Sequence, residues 1–413
     1  MLEHKIIKHE GAHRIMKKAR LILAAATATT AALTTAPLAP HAGASAAAAT
    51  PGVTSTSILI GTSLPESGPA GAYAAVGAGT QAYFKYVNAN GGVNGRKITF
   101  LIRDDGYDPS RTVSNVQNLV LVKKVFALAD VLGTANNLAA LPFITAQGVP
   151  LVYPATGSSA MAVPLHKDLF PLQVSYTNEG KTMANYLIKT LHVHKLGVFY
   201  QNDDFGKEGL AAVTAQAAKD GGSVTDSEPY ALTDTDFSGQ VLKLQQAGVD
   251  AVAIFAIPSP AATFIGTAAK VGLHVPLYSS SIASDPAVFK ILGPASEGVY
   301  FTGYAPLPTS SDPKAVLYRK IVTQYGDPVT APVGSFSEAG VGAGQIFVEA
   351  LRRAGKNLTR QSFLAALESF NNYKGSLLPS VTYNSKSHYG ATATYTARVH
   401  NAQLVQLTGY QVP

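Results

Sequence analysis

Lys195-Leu-Gly-Val-Phe-Tyr200, then Gln-Asn-Asp-Asp-Phe-Gly206, then a run of small and charged residues to Asp220, reads as a buried strand, a turn and a helix. Ser223 to Tyr230 supplies the next strand, Phe237 to Ala247 a helix, and Asp250 to Phe255 a third strand. Parallel neighbours need a crossover between them, so strand and helix in strict alternation predict a parallel sheet. The pattern extends in both directions from this core. Helix Glu179 to Leu191 precedes it, and helix Ala261 to Val271 with strand Pro276 to Ser279 follows. Before Pro171 a similar unit occurs: strand Ser57 to Thr62, helix 72–89 closed by Asn90-Gly91-Gly92, strand Lys97 to Arg103, helix Pro109 to Val122, strand Val125 to Asp130, helix Leu138 to Gln147 and strand Val149 to Tyr153. Two such units in succession predict an α/β chain of two doubly wound parallel-sheet lobes. Beyond residue 303 the helices Lys314 to Tyr325, Ser335 to Arg353 and Arg360 to Glu368 have no strands between them, so they must pack on a sheet already built. The chain is therefore expected to cross back to the first lobe near 303, and to finish the second lobe with strands Ala393 to Val399 and Gln403 to Thr408.

A length of 413 residues suits two to three domains at about 150 residues each. With 46% hydrophobic and 14% charged residues, the composition is that of a folded chain rather than a disordered one. The absence of cysteine excludes a disulfide framework, a thiolate metal site, a cysteine nucleophile and a lipid attached through a thiol. Six basic residues between Lys5 and Arg20, the apolar run from Leu21 and the Ala-x-Ala sites near Ala42 to Ala49 read as a secretory leader. We expect residues 1–48 to be a signal peptide and 49–56 a flexible segment. Without the leader the net charge of +7 falls to +3, which gives nucleic-acid binding no electrostatic support.

Enzyme motifs are absent or out of context. Gly77-Ala-Gly79-Thr-Gln-Ala82 spells a dinucleotide fingerprint, but it lies well past the strand that ends near Thr62, so it reads as a helix with small residues for close packing. No P-loop, nucleophile elbow or His-Glu-x-x-His occurs, and no catalytic residue or cofactor is expected. His192 and His194 read as a surface pair rather than a metal site. Asp203, Asp204, Asp234 and Asp236 precede helices, where capping carboxylates belong. Thr359 is expected to cap the helix after it.

Several ordered segments together resemble the leucine/isoleucine/valine-binding proteins of bacterial ABC importers. They are Ile58 to Pro69, Asn88 to Arg96, Arg103-Asp-Asp105 with Asp108-Pro109, Gly148-Val-Pro150, Tyr200 to Gly206, Thr235 to Ser238 and Ala247 to Asp250. The resemblance implies the type I periplasmic-binding-protein fold, with lobe 1 over 57–174 plus 304–380 and lobe 2 over 175–303 plus 381–413, joined by three hinge crossings. It implies a small solute held between the lobes and delivered to a membrane permease, by a monomer free in the periplasm and without a lipid anchor. Carried onto this sequence, it points to Asn136, Asn137, Thr156, Gly157 and Ser158 for the ligand's carboxylate. Tyr73, Tyr176 and Phe205 are expected as cleft walls. The acidic residue that would face the ligand's ammonium falls on Ser281, so that counter-ion is expected to be missing, with Glu338 or Asp285 as substitutes. The expected ligand is a carboxylate-bearing or amide solute, either like a branched-chain amino acid or an aromatic or aliphatic acid. A periplasmic sensor serving a signalling receptor and a secreted hydrolase are the alternative readings.

Overall fold

Ile58, Ile60 and Leu64 are buried on β1 (Ser57–Leu64), a strand with parallel neighbours on both sides. The computed structural model describes residues 50–413, so the leader expected over 1–48 lies outside the described residues. The first sheet adds β2 (Lys97–Asp104), β3 (Ala127–Ala129), β4 (Leu151–Val152) and β5 (Leu169–Phe170), all parallel, in the order β2-β1-β3-β4-β5. Its crossovers are α1 (Ala74–Ala89), α2 (Pro109–Gln117) and α3 (Thr134–Ala146). After α4 (Tyr176–Asn185) the second sheet follows the same plan: β6 (Lys195–Gln201), α5 (Asp204–Asp220), β7 (Ser223–Tyr230), α6 (Ser238–Gln246), β8 (Ala251–Phe255), α7 (Pro258–Val271), β9 (Leu277–Ser279), α8 (Pro286–Leu292) and β10 (Tyr300–Gly303). Helices α9 (Pro313–Tyr325), α10 (Ser335–Ala354) and α11 (Arg360–Glu368) then return to the first sheet. Two antiparallel strands, β11 (Tyr395–His400) and β12 (Gln403–Gln406), complete the second sheet, in the order β12-β11-β10-β9-β8-β6-β7.

Local chemistry sets the helix starts. Asp108 accepts from Ser110 N and Arg111 N with Pro109 at the first helical position, and Asp203 accepts from Phe205 N and Gly206 N. Thr359 and Ser362 form a reciprocal capping box. α3 begins at Thr134, four residues earlier than its periodicity predicts. The Asn137 amide, which reads as loop chemistry in the sequence, donates to the Val131 and Gly133 carbonyls at 2.6 and 2.8 Å and so ties the first turn to the strand end. Residues 50–56 also differ from expectation. Thr50 Oγ1 donates to the Leu358 carbonyl at 3.2 Å, Leu59 N donates to the Gly52 carbonyl at 2.8 Å, and Val53 bridges Ile58, so this stretch is held against the first sheet rather than flexible. Strands β5 and β10 and helix α8 are too short to leave a periodic signal in the sequence.

Small residues bring α1 and α10 into backbone contact. A Cβ on Gly79 would collide with the Ser337 carbonyl, and one on Gly340 with the Val76 carbonyl. Thr80 Oγ1 donates across the same crossing to the Gly340 carbonyl at 2.8 Å. The fingerprint-like glycines are therefore a packing device. Backbone cannot move aside as a flexible side chain can, so Gly340→Ala should destabilise the protein by about 1–3 kcal/mol or more in denaturant unfolding. Gly342 on the same helix meets nothing closer than Leu377 Cβ at 3.7 Å, and Gly342→Ala should be neutral or stabilising by up to about 1 kcal/mol. Equal losses for the two variants would refute the crossing as the cause.

Candidate functional site

In each sheet the strand order reverses beside the first strand, between β1 and β3 and between β6 and β8. Open parallel sheets leave a crevice at the carboxyl ends of such strands. Here both crevices face one cavity of about 100 Å³. Gly133 follows β3, Ala155 follows β4, Phe205 follows β6, Ile257 follows β8, Ser281 follows β9 and Tyr304 follows β10, and all of them line it. α10 adds Phe336 and Glu338. The wall is mostly apolar and carries six tyrosines, Tyr73, Tyr107, Tyr153, Tyr176, Tyr304 and Tyr395. Burial raises the phenol pKa of each of these tyrosines, so they stay neutral donors.

Tyr73, Glu208 and Asp285 make hydrogen bonds between the lobes near this cavity. Tyr73 Oη donates to the Ile282 carbonyl at 3.1 Å. The Glu208 carboxylate of α5 accepts from Ser159 N at 3.1 and 3.0 Å and from Thr177 Oγ1 at 3.0 Å. Asp285 accepts from Ala287 N at the start of α8 and, across the lobes, from Phe336 N at 3.2 Å. These bonds oppose the rise that burial imposes on the Asp285 carboxyl.

Of the residues singled out from sequence, Tyr73, Tyr176, Phe205 and Ser281 meet at the cavity. Tyr176 and Phe205 pack with ring centroids 4.7 Å apart, and Tyr73 meets Phe336 edge to face at 4.9 Å. Thr156, Gly157 and Ser158 lie behind Ala155. The Thr156 hydroxyl shares a 2.7 Å hydrogen bond with Thr134 Oγ1, reaches Tyr176 Oη at 3.3 Å and accepts from Ser158 N at 3.1 Å. Asn136 and Asn137 are buried inside the first lobe. The Asn136 amide donates to Thr112 Oγ1 at 2.7 Å, and Asn137 holds the α3 turn described above, so neither amide faces the cavity. Asp285 is committed to α8 and α10. Ile257 is also on the wall.

Ser281 is not isolated from negative charge. Glu179 of α4, fully buried, accepts from Ser281 N at 2.7 Å and from Ser281 Oγ at 2.9 Å. Burial pushes its carboxyl up to about 7, and the two bonds from Ser281 oppose the rise. Sequence reasoning missed this residue because an acid in a helix's first turn already has an adequate explanation in the helix dipole. Gln173, in the first crossing between the lobes, was missed as well. Its Nε2 is buried on the cavity wall without a hydrogen-bond partner, and so is Glu338 Oε1. Among the described residues the wall contains no lysine, arginine or histidine, and Glu338 is its one acidic side chain. Burial holds the Glu338 carboxyl well above the usual range; Asp312 adds to the rise, and Arg319 partly offsets it. No cluster of metal-ligating side chains occurs among the described residues.

Asp130, at the end of β3, is a third buried carboxyl. Neither oxygen has a partner among the described residues, because Thr80 beside it gives its proton to the Gly340 carbonyl. Burial raises its pKa from 3.8 to about 8. Between those values the unfolded chain has released a proton that the folded chain retains, so stability falls as pH rises through the window. Asp130→Asn should leave stability near pH 4 almost unchanged and raise it at pH 8, as read by thermal unfolding across pH. A parallel pH profile for the two proteins would show that Asp130 is ionised in the fold.

The chain matches the profile of the periplasmic binding protein family over residues 57–403. It is similar to Leu/Ile/Val-binding protein homolog 1 of Brucella suis, 26% identical over 331 residues that cover 80% of this chain and 86% of that one. Among solved structures, it is similar to a substrate-binding periplasmic protein from Ralstonia solanacearum at 30% identity and a TM-score of 0.79, covering 85% of this chain and 100% of that one. A fatty acid ABC transporter substrate-binding protein from Thermomonospora curvata shares 25% identity with a TM-score of 0.79, covering 88% and 94% respectively.

Proposed function

This chain belongs to the periplasmic binding protein family, and from that premise we propose that it captures a small carboxylate-bearing or amide solute between its lobes and delivers it to the permease of an ABC importer. It is a binding protein and not an enzyme, of the kind that serves branched-chain amino acid ABC transporters. The observation that carries the ligand reading is the set of buried polar atoms without partners, Gln173 Nε2, Thr302 Oγ1 and Glu338 Oε1, on an otherwise mostly apolar wall. Buried polar groups are ordinarily paired, so a donor and an acceptor left open on one cavity are complementary to a ligand with polar ends and an apolar body. With no cation in the wall, a carboxylate or amide oxygen is received by neutral donors, the unpartnered Gln173 amide first among them.

Relatives named for leucine, isoleucine and valine and for fatty acids bracket the expected ligand class, a branched-chain amino acid or an aromatic or aliphatic acid or amide. In this reading the protein acts as a monomer, exported by a leader that is removed. A ligand touching both lobes binds the closed arrangement better than an open one and shifts the population by that difference alone.

A thermal-shift screen against branched-chain amino acids, aromatic and aliphatic acids and short amides tests the reading. A true ligand at a hundredfold excess over its Kd adds about 2.7 kcal/mol of apparent stability, and small-angle scattering should show a smaller radius at saturation. Gln173→Leu should weaken that ligand by roughly tenfold. No stabilisation by any class, or binding without compaction, would overturn the proposal.

A further inference from the structure

Ser281 opens the turn Ser281–Ala283 after β9 and stands on the cavity wall, with the Glu179 carboxylate buried behind it. Both oxygens of that carboxylate are engaged by this one residue: Oε2 by Ser281 N at 2.7 Å, Oε1 by Ser281 Oγ at 2.9 Å. A serine hydroxyl has one proton and two lone pairs. While Glu179 is ionised that proton is directed away from the cavity, and the hydroxyl can offer a ligand only an acceptor. Protonating Glu179 reverses the arrangement. Oε2 must remain bare to receive Ser281 N, so the added proton sits on Oε1 and is donated to Ser281 Oγ, and the serine's own proton turns toward the cavity.

We propose that Glu179 sets the hydrogen-bonding polarity of Ser281, so that its ionised form makes the second-lobe wall a subsite for a ligand N–H donor, an ammonium group above all. This rests on the reading of the cavity as a solute site and names one end of its ligand. The charge that residues 280–284 lack is supplied from α4, two hydrogen bonds from the ligand. Ser281 would touch the solute, and Glu179 is a positioning residue acting through it.

The surroundings place the change of polarity near neutral pH. Burial raises the Glu179 carboxyl to about 7. The ionisable groups facing it are phenols: Tyr73 from the turn before α1, Tyr176 from α4, Tyr278 from β9 and Tyr304 from the crossing after β10. Burial raises the pKa of each, so they remain neutral, and no lysine, arginine or histidine is among them. Tyr304 also lies close enough to Glu338 for that carboxylate to oppose its ionisation, so Glu338 is the competing acceptor in the same cavity. An ammonium bound at Ser281 favours the ionised Glu179. Below about pH 7 binding therefore releases a proton, and affinity rises with pH until the carboxylate is fully ionised.

Glu179→Gln tests this with little change of shape. The glutamine Oε1 can accept from Ser281 N while Nε2 donates to Ser281 Oγ, which turns Ser281 into a donor at every pH. Calorimetry would compare matched probes, L-leucine with 4-methylpentanoic acid and L-phenylalanine with 3-phenylpropanoic acid, at pH 6 and 8, where none of the four titrates appreciably. For the wild type we expect the amino member to bind about tenfold more tightly at pH 8 than at pH 6, following the ionised fraction of a group near 7. In Glu179→Gln the amino member should weaken by about tenfold to a hundredfold and lose its pH dependence, while the plain acid is unchanged or tighter. An unchanged preference and pH slope in Glu179→Gln would overturn the proposal. So would a preference lost in Glu338→Gln but kept in Glu179→Gln, which would assign the ammonium to Glu338. A measurement without ligand stands beside these: a ¹³C titration of the Glu179 carboxyl should have its midpoint near 7, raised further by Ser281→Ala, and a midpoint in the ordinary carboxylate range would also overturn it. If no probe binds the wild type, the small-acid reading of the cavity falls, and the carboxyl titration still decides the role of Glu179.

Discussion

Backbone meets backbone where α1 crosses α10, and the rest of the site follows from that approach. Gly79 lies against the Ser337 carbonyl and Gly340 against the Val76 carbonyl, a separation that no larger residue permits. The turn of α10 fixed there carries Phe336 and Glu338, which enter the cavity wall, and the Phe336 N–H that reaches across to Asp285. The same crossing consumes the Thr80 hydroxyl and leaves Asp130 buried without a donor. One close contact thus positions a wall aromatic and an open acceptor, sets a bond between the lobes, and strands a buried carboxyl in the first lobe.

The polar groups of the cavity wall are mostly neutral dipoles. Its wall has no fixed positive charge among the described residues, and burial keeps its phenols protonated. Such groups orient a carboxylate or amide without the desolvation cost of burying a permanent cation. The acidic groups behave differently from one another because their partners differ. Glu208 and Asp285 are satisfied by main-chain N–H groups across the lobes. Glu179 is satisfied by Ser281 alone, and Glu338 keeps an oxygen open.

The amino-acid sequence determined the α/β character, the two mainly parallel sheets and the return of the last three helices to the first lobe. These features are local and repetitive: apolar runs of strand length, helical spacing between them, and caps such as Asp108-Pro109 and Thr359 that state where a helix begins. The glycines of 77–82 were legible as packing because their place relative to the strand excluded the nucleotide reading. The resemblance carried by the ordered segments pointed to Tyr73, Tyr176, Phe205 and Ser281, and the fold brings all four to the cavity wall. Tertiary structure alone decided the polarity of the site. Asn136 and Asn137 carry the right chemistry in the right loop, yet their donors are consumed by Thr112 and by the carbonyls beneath α3. Glu179 lies 102 positions from Ser281 along the chain, and Gln173 comes from the first crossing between the lobes whereas Glu338 comes from α10. Periodicity and capping act over a few residues, whereas a buried polar group takes its role from whatever the fold brings within about 3 Å of it, and that is set only when both lobes are in place.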